Sequence, residues 1–397
     1  MIFCAALGIF AARLNDFTGK YLKLLKNFCK AGVVPAKIIP GRGALFLQKT
    51  ARGGCFSAGL FKIAAYISAM TYPRSDHYDG SHFFNPETGP GFGRRGGFVR
   101  VLRRRFSRDP AAWAKWPARV DNQPHPPLGE RDGVRFLGHA MFLIRLGDVW
   151  AITDPIFSAR CSPSQTVGPQ RVRAPGLGVA ELPEIGLVLL SHNHYDHMDL
   201  GSLRALKGRF PGARIITPLG NGAYLARKGI GGSIELDWWE SVRLGAVEVT
   251  ITPARHFSAR TLRDRRKMLW GGLVMKAEGK SVYFAGDTAY TGAFAEIGGR
   301  LGAPDLALLP IGAYEPRDFM RAVHMNPDDA VRACLDLGAK RAIGMHFGTF
   351  QLTAEEIDAP VRALAAARAA HGVAEERFFT LDVGESWGFQ GAGDLSG

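Results

Sequence analysis

The chain has 397 residues, of which 46% are hydrophobic, 22% are charged and 49 are glycine; this is ordinary globular usage with many tight turns, and it suits one large layered domain as well as two or three smaller ones. Lysine and arginine outnumber acidic residues by 50 to 36, an excess that suits polyanionic partners or simply a solvated basic face. The 5 cysteines (Cys4, Cys29, Cys55, Cys161 and Cys334) are scattered without a Cys-x-x-Cys pair, which excludes a disulfide framework and fits reduced thiols.

In chain order, residues 1–75 carry no catalytic pattern and read as an N-terminal extension suited to a membrane surface. Met1 to Leu14 is apolar but short, without a basic leader or a small-residue cleavage site, so a secretory signal is not expected. Residues 55–72 are mostly apolar but contain Lys62; a bilayer span wants about 20 apolar residues, so this stretch reads as an amphipathic surface helix or a marginal span. Residues 76–130 form a basic, Gly/Pro-rich lead-in. Arg94, Arg95, Arg100, Arg103, Arg104, Arg105 and Arg108 crowd together there, and on charge alone nucleic acid and anionic lipid fit equally well. Only Phe98 and Phe106 interleave with them, so no base-stacking platform is evident.

Residues 131–390 change to short β-rich runs: Val134 to Leu137, Met141 to Leu146 and Val149 to Thr153, close enough to pair as hairpins. Further strands are expected at Leu187 to Leu190, Arg214 to Thr217, Val247 to Thr252, Leu273 to Ala277, Ser281 to Ala285 and Leu306 to Leu309, alternating with helices. One helix should run from Pro327 to Leu337 behind an Asn326 cap. Another should start at Thr353, whose Thr-x-x-Glu spacing to Glu356 makes a capping box, and end near Gly372. Strand runs each followed by helices predict an α/β fold of two face-to-face sheets with helices outside, a four-layer αββα sandwich.

The chemistry concentrates in His192-Asn193-His194-Tyr195-Asp196-His197, directly after the apolar run Leu187 to Leu190. Three imidazoles and a carboxylate in six residues make a metal-binding loop suited to zinc and similar cations. His192 and His194 can converge on one ion while Asp196 and His197 point to a second. The loop alone is short of ligands, and His256 after the strand ending Thr252-Pro253, with His346 after the run Arg341 to Gly344, are the candidates to complete the pair. Asp287, in Gly286-Asp287-Thr288 at a strand end, is the expected bridging carboxylate. His139 reads as structural or supporting, and Asp154 as a group that orients a ligand histidine.

The order of His192-x-His194-x-Asp196-His197, His256, Asp287 and His346 resembles the metallo-β-lactamase fold superfamily. Within it, Thr153-Asp154-Pro155-Ile156-Phe157-Ser158, Ser162-Pro163-Ser164-Gln165, Ile234 to Glu240 and Pro310 to Arg317 look like the N-acyl-phosphatidylethanolamine-hydrolysing phospholipase D branch, over roughly residues 75–390. The resemblance implies that His192, His194 and His256 hold one zinc and Asp196, His197 and His346 a second, with Asp287 bridging, and that His324 lies near the substrate phosphate. It implies hydrolysis of N-acyl-phosphatidylethanolamine to N-acylethanolamine and phosphatidic acid by a hydroxide between the metals. Asp196, Asp287 and His324 are then the catalytic residues. Two positions depart from the animal lipid enzyme: Val323 stands where a polar residue is expected and Asp318 where an aromatic one is.

A nuclease or a lactone hydrolase on the same scaffold is the alternative activity, and a membrane-binding role without catalysis is the non-enzymatic one. The expected partners are a phospholipid substrate and a membrane surface, with nucleic acid disfavoured; a homodimer is carried as an open expectation. The expected location is peripheral, on the cytoplasmic face of a membrane, with an N-terminally anchored inner-membrane protein as the alternative.

Overall fold

The structure is a computed structural model and describes residues 72–89, 114–129, 131–261 and 263–389. The apolar stretches before Tyr72, the arginine run from Arg94 to Arg108, and Cys4, Cys29 and Cys55 lie outside the described residues.

The described residues build two 7-stranded sheets. The first runs, edge to edge, β14 (Ser386–Gly388), β1 (Gly133–Gly138), β2 (Met141–Leu146), β3 (Val149–Thr153), β4 (Ile185–Leu189), β5 (Arg214–Pro218) and β6 (Ser233–Leu236). The second runs β13 (Phe378–Thr380), β12 (Arg341–Met345), β11 (Leu306–Pro310), β10 (Lys280–Phe284), β9 (Gly272–Ala277), β8 (Val247–Thr252) and β7 (Ser241–Leu244). Each sheet starts as antiparallel hairpins, β1 to β3 and β7 to β10, and then continues with parallel strands. The parallel steps need crossovers. The one from β3 to β4 is a long loop with a single 3-10 turn at Val179–Glu181; the others carry helices: α1 (Leu200–Arg209), α2 (Asn221–Arg227), α3 (Ala293–Leu301), the short α4 (Arg317–Met320) with α5 (Pro327–Asp336), and α6 (Ala359–His371).

The period-2 pattern of β2 shows how the layers arise. Phe142 and Ile144 lie in one core with Ile251, Leu273 and Met275 of the opposite sheet, whereas Met141 and Leu143 pack outward with Leu203 and Leu206 of α1 and Leu225 of α2. Ala330, Val331 and Cys334 of α5 and Leu364 of α6 cover the second sheet. Every residue of β1 and β11 is buried as a result, the signature of strands covered on both faces. This is the αββα sandwich expected from the sequence.

The helix from Pro327 forms as expected, with the Asn326 side chain accepting from Asp329 N. The one from Thr353 does not: α6 begins at Ala359 behind Asp358, with Pro360 in its first turn, and ends at left-handed Gly372. The Thr353 hydroxyl bonds Glu355 instead, and the Glu355 carboxylate accepts the backbone N–H groups of Tyr314 and Glu315. The polar spacing that reads as a capping box is used to hold a neighbouring loop.

Candidate metal centre

The strands deliver their chemistry at one rim. His139 follows β1, Asp154 follows β3, the His192–His197 loop follows β4, His256 follows β8, Asp287 follows β10 and His346 follows β12, each past a carboxyl end. His139, Asp154 and His346 all adopt positive φ, 61°, 31° and 64°, a conformation costing a non-glycine residue about 1–2 kcal/mol. Backbone pairing holds them there: His346 N donates to His139 O at 2.7 Å, and Asp154 N to Leu189 O at 2.9 Å. Gly286 turns the chain into Asp287 with φ 58°, and a Cβ on it would lie 2.5 Å from Ser191 Cβ. Only glycine fits that turn.

Two donor groups result, in each of which one ligand atom per residue lies within 4.8 Å of the others. The first is His192, His194, His256 and Asp287; the second is His139, Asp196, His197 and His346. In the first, His194 Nδ1 lies 2.9 Å from His192 Nε2 and 3.2 Å from His256 Nε2. In the second, His197 Nε2 lies 3.2 Å from both His346 Nε2 and Asp196 Oδ2. Asp287 joins them, its Oδ2 standing 3.7 Å from His256 Nε2 and 3.2 Å from His197 Nε2, and its Oδ1 3.1 Å from His346 Nε2.

The outer nitrogens fix which lone pairs point inward. His256 Nδ1 donates to Val323 O at 2.9 Å. His197 Nδ1 donates to Asp154 Oδ2 at 2.6 Å, and the same carboxylate accepts from Ser191 N and Ser191 Oγ, whose oxygen in turn sits 2.9 Å from His192 Nδ1. Asp154 thus orients two histidines, directly and through a serine. His139 Nε2 donates to Asp196 Oδ2 at 3.0 Å. The departure at Val323 touches the site through its carbonyl, which any residue would offer.

Electrostatics separates the groups. Burial, reinforced by neighbouring imidazoles, holds His192 and His194 well below the usual imidazole range, and burial takes His256 down to about 4 despite Asp287. His139 and His324 fall to about 3 for the same first reason. Burial also opposes charge on His197 and His346, but Asp287 and Asp196 outweigh it, raising His197 well up and His346 to about 9. Burial disfavours charge on Asp196 and Asp287 too, yet His197 and its neighbours hold both carboxyls well below the usual range.

These residues fit a cation pair. Nitrogen separations of 2.9 and 3.2 Å approach the edge of about 3.3 Å in a tetrahedron with zinc–nitrogen bonds of about 2.05 Å. Buried Asp287 Oδ1 makes no hydrogen bond, and two carboxylates in one dry site require positive charge that divalent ions would supply. Asp154, His192 and His197 also fall within reach of one another, as do Asp287, His324 and His346.

Every site residue expected from the sequence converges here. His324 is buried, with Nε2 3.9 Å from Asp287 Oδ2 and Nδ1 unpartnered. His77 and His371 lie elsewhere, paired with Asp76 and Asp237 and with Asp328. Sequence reasoning missed Ser191, Asn85, Thr349, whose hydroxyl accepts from His139 N, and Arg260, whose Nη1 donates to Asn193 O and Met198 O at 2.8 Å. Arg260 also lies 3.9 Å over the Tyr195 ring, clamping the metal loop from outside. None carries a ligand-type signal in a single sequence.

Comparison with known proteins identifies the family. Residues 149–347 match the family model described as a beta-lactamase superfamily domain. The N-acyl-phosphatidylethanolamine-hydrolyzing phospholipase D 1 of Caenorhabditis elegans is 37% identical over 266 residues, covering 64% of this chain and 74% of that protein. An uncharacterized protein of Mycobacterium tuberculosis is 42% identical over 247 residues; the match takes in 61% of this chain and spans 65% of the mycobacterial one. Among solved structures, a possible metal-dependent hydrolase from Veillonella parvula superposes with a TM-score of 0.54 at 16% identity, covering 65% of this chain and 100% of that one, which shows the fold. The chain belongs to the beta-lactamase superfamily, on its N-acyl-phosphatidylethanolamine-hydrolysing phospholipase D-like branch.

Proposed function

We propose that the chain is a two-zinc phosphodiesterase of phospholipase D type, hydrolysing N-acyl-phosphatidylethanolamine to N-acylethanolamine and phosphatidic acid. The observation that carries this reading is the pair of donor groups joined through Asp287, together with the activity printed for the Caenorhabditis elegans relative. His192, His194 and His256 would hold one ion, Asp196, His197 and His346 the other, and Asp287 both. Bound there, such ions lower the pKa of water toward about 7 and polarise a phosphoryl oxygen.

The protein's own groups do the remaining work. Water oxygen joins phosphorus and gives up one proton, the bond from phosphorus to the N-acylethanolamine oxygen breaks, and that oxygen takes up a proton in its place. His324 is neutral at physiological pH because burial takes it down to about 3, so it serves as an N–H donor to the phosphoryl oxygens as negative charge grows on them.

A membrane surface is the proposed place of work. The loop that brings His256 to the site continues through exposed Arg263, Arg265 and Lys267, and each cation near an anionic leaflet contributes about 1 kcal/mol of attraction. Among the described residues no helix is long and apolar enough to cross a membrane. The test is turnover on a panel of N-acylated phospholipid, plain phosphatidylethanolamine, RNA and a lactone. Release of N-acylethanolamine with two zinc ions bound is expected; turnover of RNA or the lactone alone would replace this reading with the nuclease or lactonase.

A further inference from the structure

We infer that Asn85, on a strap preceding the family-matched region, is a positioning residue for the metal ligand His256. The inference rests on the ligand assignment above, but on no particular substrate.

The strap is residues 72–89, and the sandwich holds it at several points. Tyr78 and Phe83 are buried in the main core. Phe83 N donates to Arg266 O at 2.8 Å, and Phe84 N to His77 O at 2.8 Å. His77 stacks on Trp238 with centroids 4.3 Å apart and reaches Asp237 at 2.7 Å. These contacts bring Asn85 under the loop after β8.

There the buried Asn85 amide grips the backbone of His256 from both sides. Its Nδ2 donates to His256 O at 2.9 Å, and its Oδ1 accepts from His256 N at 3.2 Å. Oδ1 also accepts Trp270 Nε1 at 3.2 Å. Only this orientation of the amide satisfies all three partners, because two donors face one end and a carbonyl the other. Ring orientation is set separately by Val323 O on Nδ1. His256 is therefore fixed by two independent constraints, amide on the main chain and carbonyl on the ring, and its Nε2 has one direction left, toward His194 and Asp287. A neutral side chain spent on a ligand's main chain has no evident role in packing that Leu or Met would not fill better, since it places amide atoms where burial penalises any unpaired one.

Supporting partners of metal ligands typically alter affinity about 10–100-fold. In the full chain, Asn85→Ala should bind the ion of the His192, His194 and His256 group about 10-fold or more weakly, while the other ion is retained, read by titrating zinc without substrate. Cobalt substituted at that position should show a changed d–d spectrum, a readout that loss of packing elsewhere would not move. Asn85→Asp is near-isosteric and keeps the bond from His256 N but faces His256 O with an acceptor; it should weaken the same ion and serves if the alanine variant fails to fold. His256→Ala separates the two claims. If it leaves both ions bound, the ligand assignment fails; if it releases one ion while folded Asn85→Ala and Asn85→Asp both bind two with wild-type affinity and spectrum, the role of Asn85 is overturned.

Discussion

The two donor groups share Asp287 but are built differently. The His192, His194 and His256 side is nitrogen-rich, its imidazoles held neutral by burial, and its third histidine is kept in place by Asn85 and by the Val323 carbonyl. The Asp196, His197 and His346 side carries carboxylate, its imidazoles are raised by Asp287 and Asp196, and it is anchored within the sandwich by buried Asp154 and by backbones at positive φ. One half depends on a segment far away in sequence and the other on strain local to the strand ends. The two sites should accordingly fail through different substitutions.

The largest expected effect is the one that ignores the difference. Asp287→Asn removes the charge common to both groups and should lower turnover by about 10³-fold or more, the scale of losing a principal electrostatic stabiliser, with the fold retained by circular dichroism; retained activity would remove the bridging assignment. Next come the paired deletions that test whether the halves are independent. His256→Ala and His346→Ala should each leave one tightly held metal equivalent by elemental analysis, and loss of both in either variant would mean a single cooperative site.

Asp154→Asn sharpens the comparison further. The buried carboxylate serves Ser191 N, Ser191 Oγ and His197 Nδ1, so replacing an acceptor with an amide leaves a donor facing a donor. About 1–3 kcal/mol of stability should be lost in denaturant unfolding, and the carboxylate-rich side, whose His197 bonds Asp154 directly, should bind its ion about 10–100-fold more weakly, with a smaller loss on the His192 side, which Asp154 reaches only through Ser191. The smallest effect concerns the strap. Burial lowers the affinity of His77 for a proton, but hydrogen bonds to Asp237 and Asp76 outweigh it and its value is raised. Its contribution is therefore complete below about 6.5, the unfolded value, and disappears as pH rises through the higher folded value. Hydrogen-exchange protection of residues 72–89 should fall over that range in the wild type and stay flat in His77→Gln.

Much of this was legible because the sequence repeats its periodicity where the fold needs it. β2, β3 and β8 begin and end where their apolar runs do, and the candidate ligand histidines sit at strand ends, where a side chain can leave the sheet. β6 and β7 were not legible: they are short, and none of their residues but Leu236 is buried, so neither alternation nor a long apolar run marks them. The start of α6 was misread because Thr353 and Glu356 carry a local signal that a tertiary contact of Glu355 overrides. Asn85 was invisible for a simpler reason. Its partner is a backbone 171 positions away, and main-chain atoms leave no trace in residue type.

The rim residues come from both sheets: His139, Asp154 and the His192 loop from the first, and His256, Asp287 and His346 from the second. An ion seated among them is thus a clasp fastening one half of the sandwich to the other at its rim. Melting should track free zinc, rising by about 4 kcal/mol in stability when the ion is present at a thousand times its dissociation constant, and a chelator should part the sheets from the active end first.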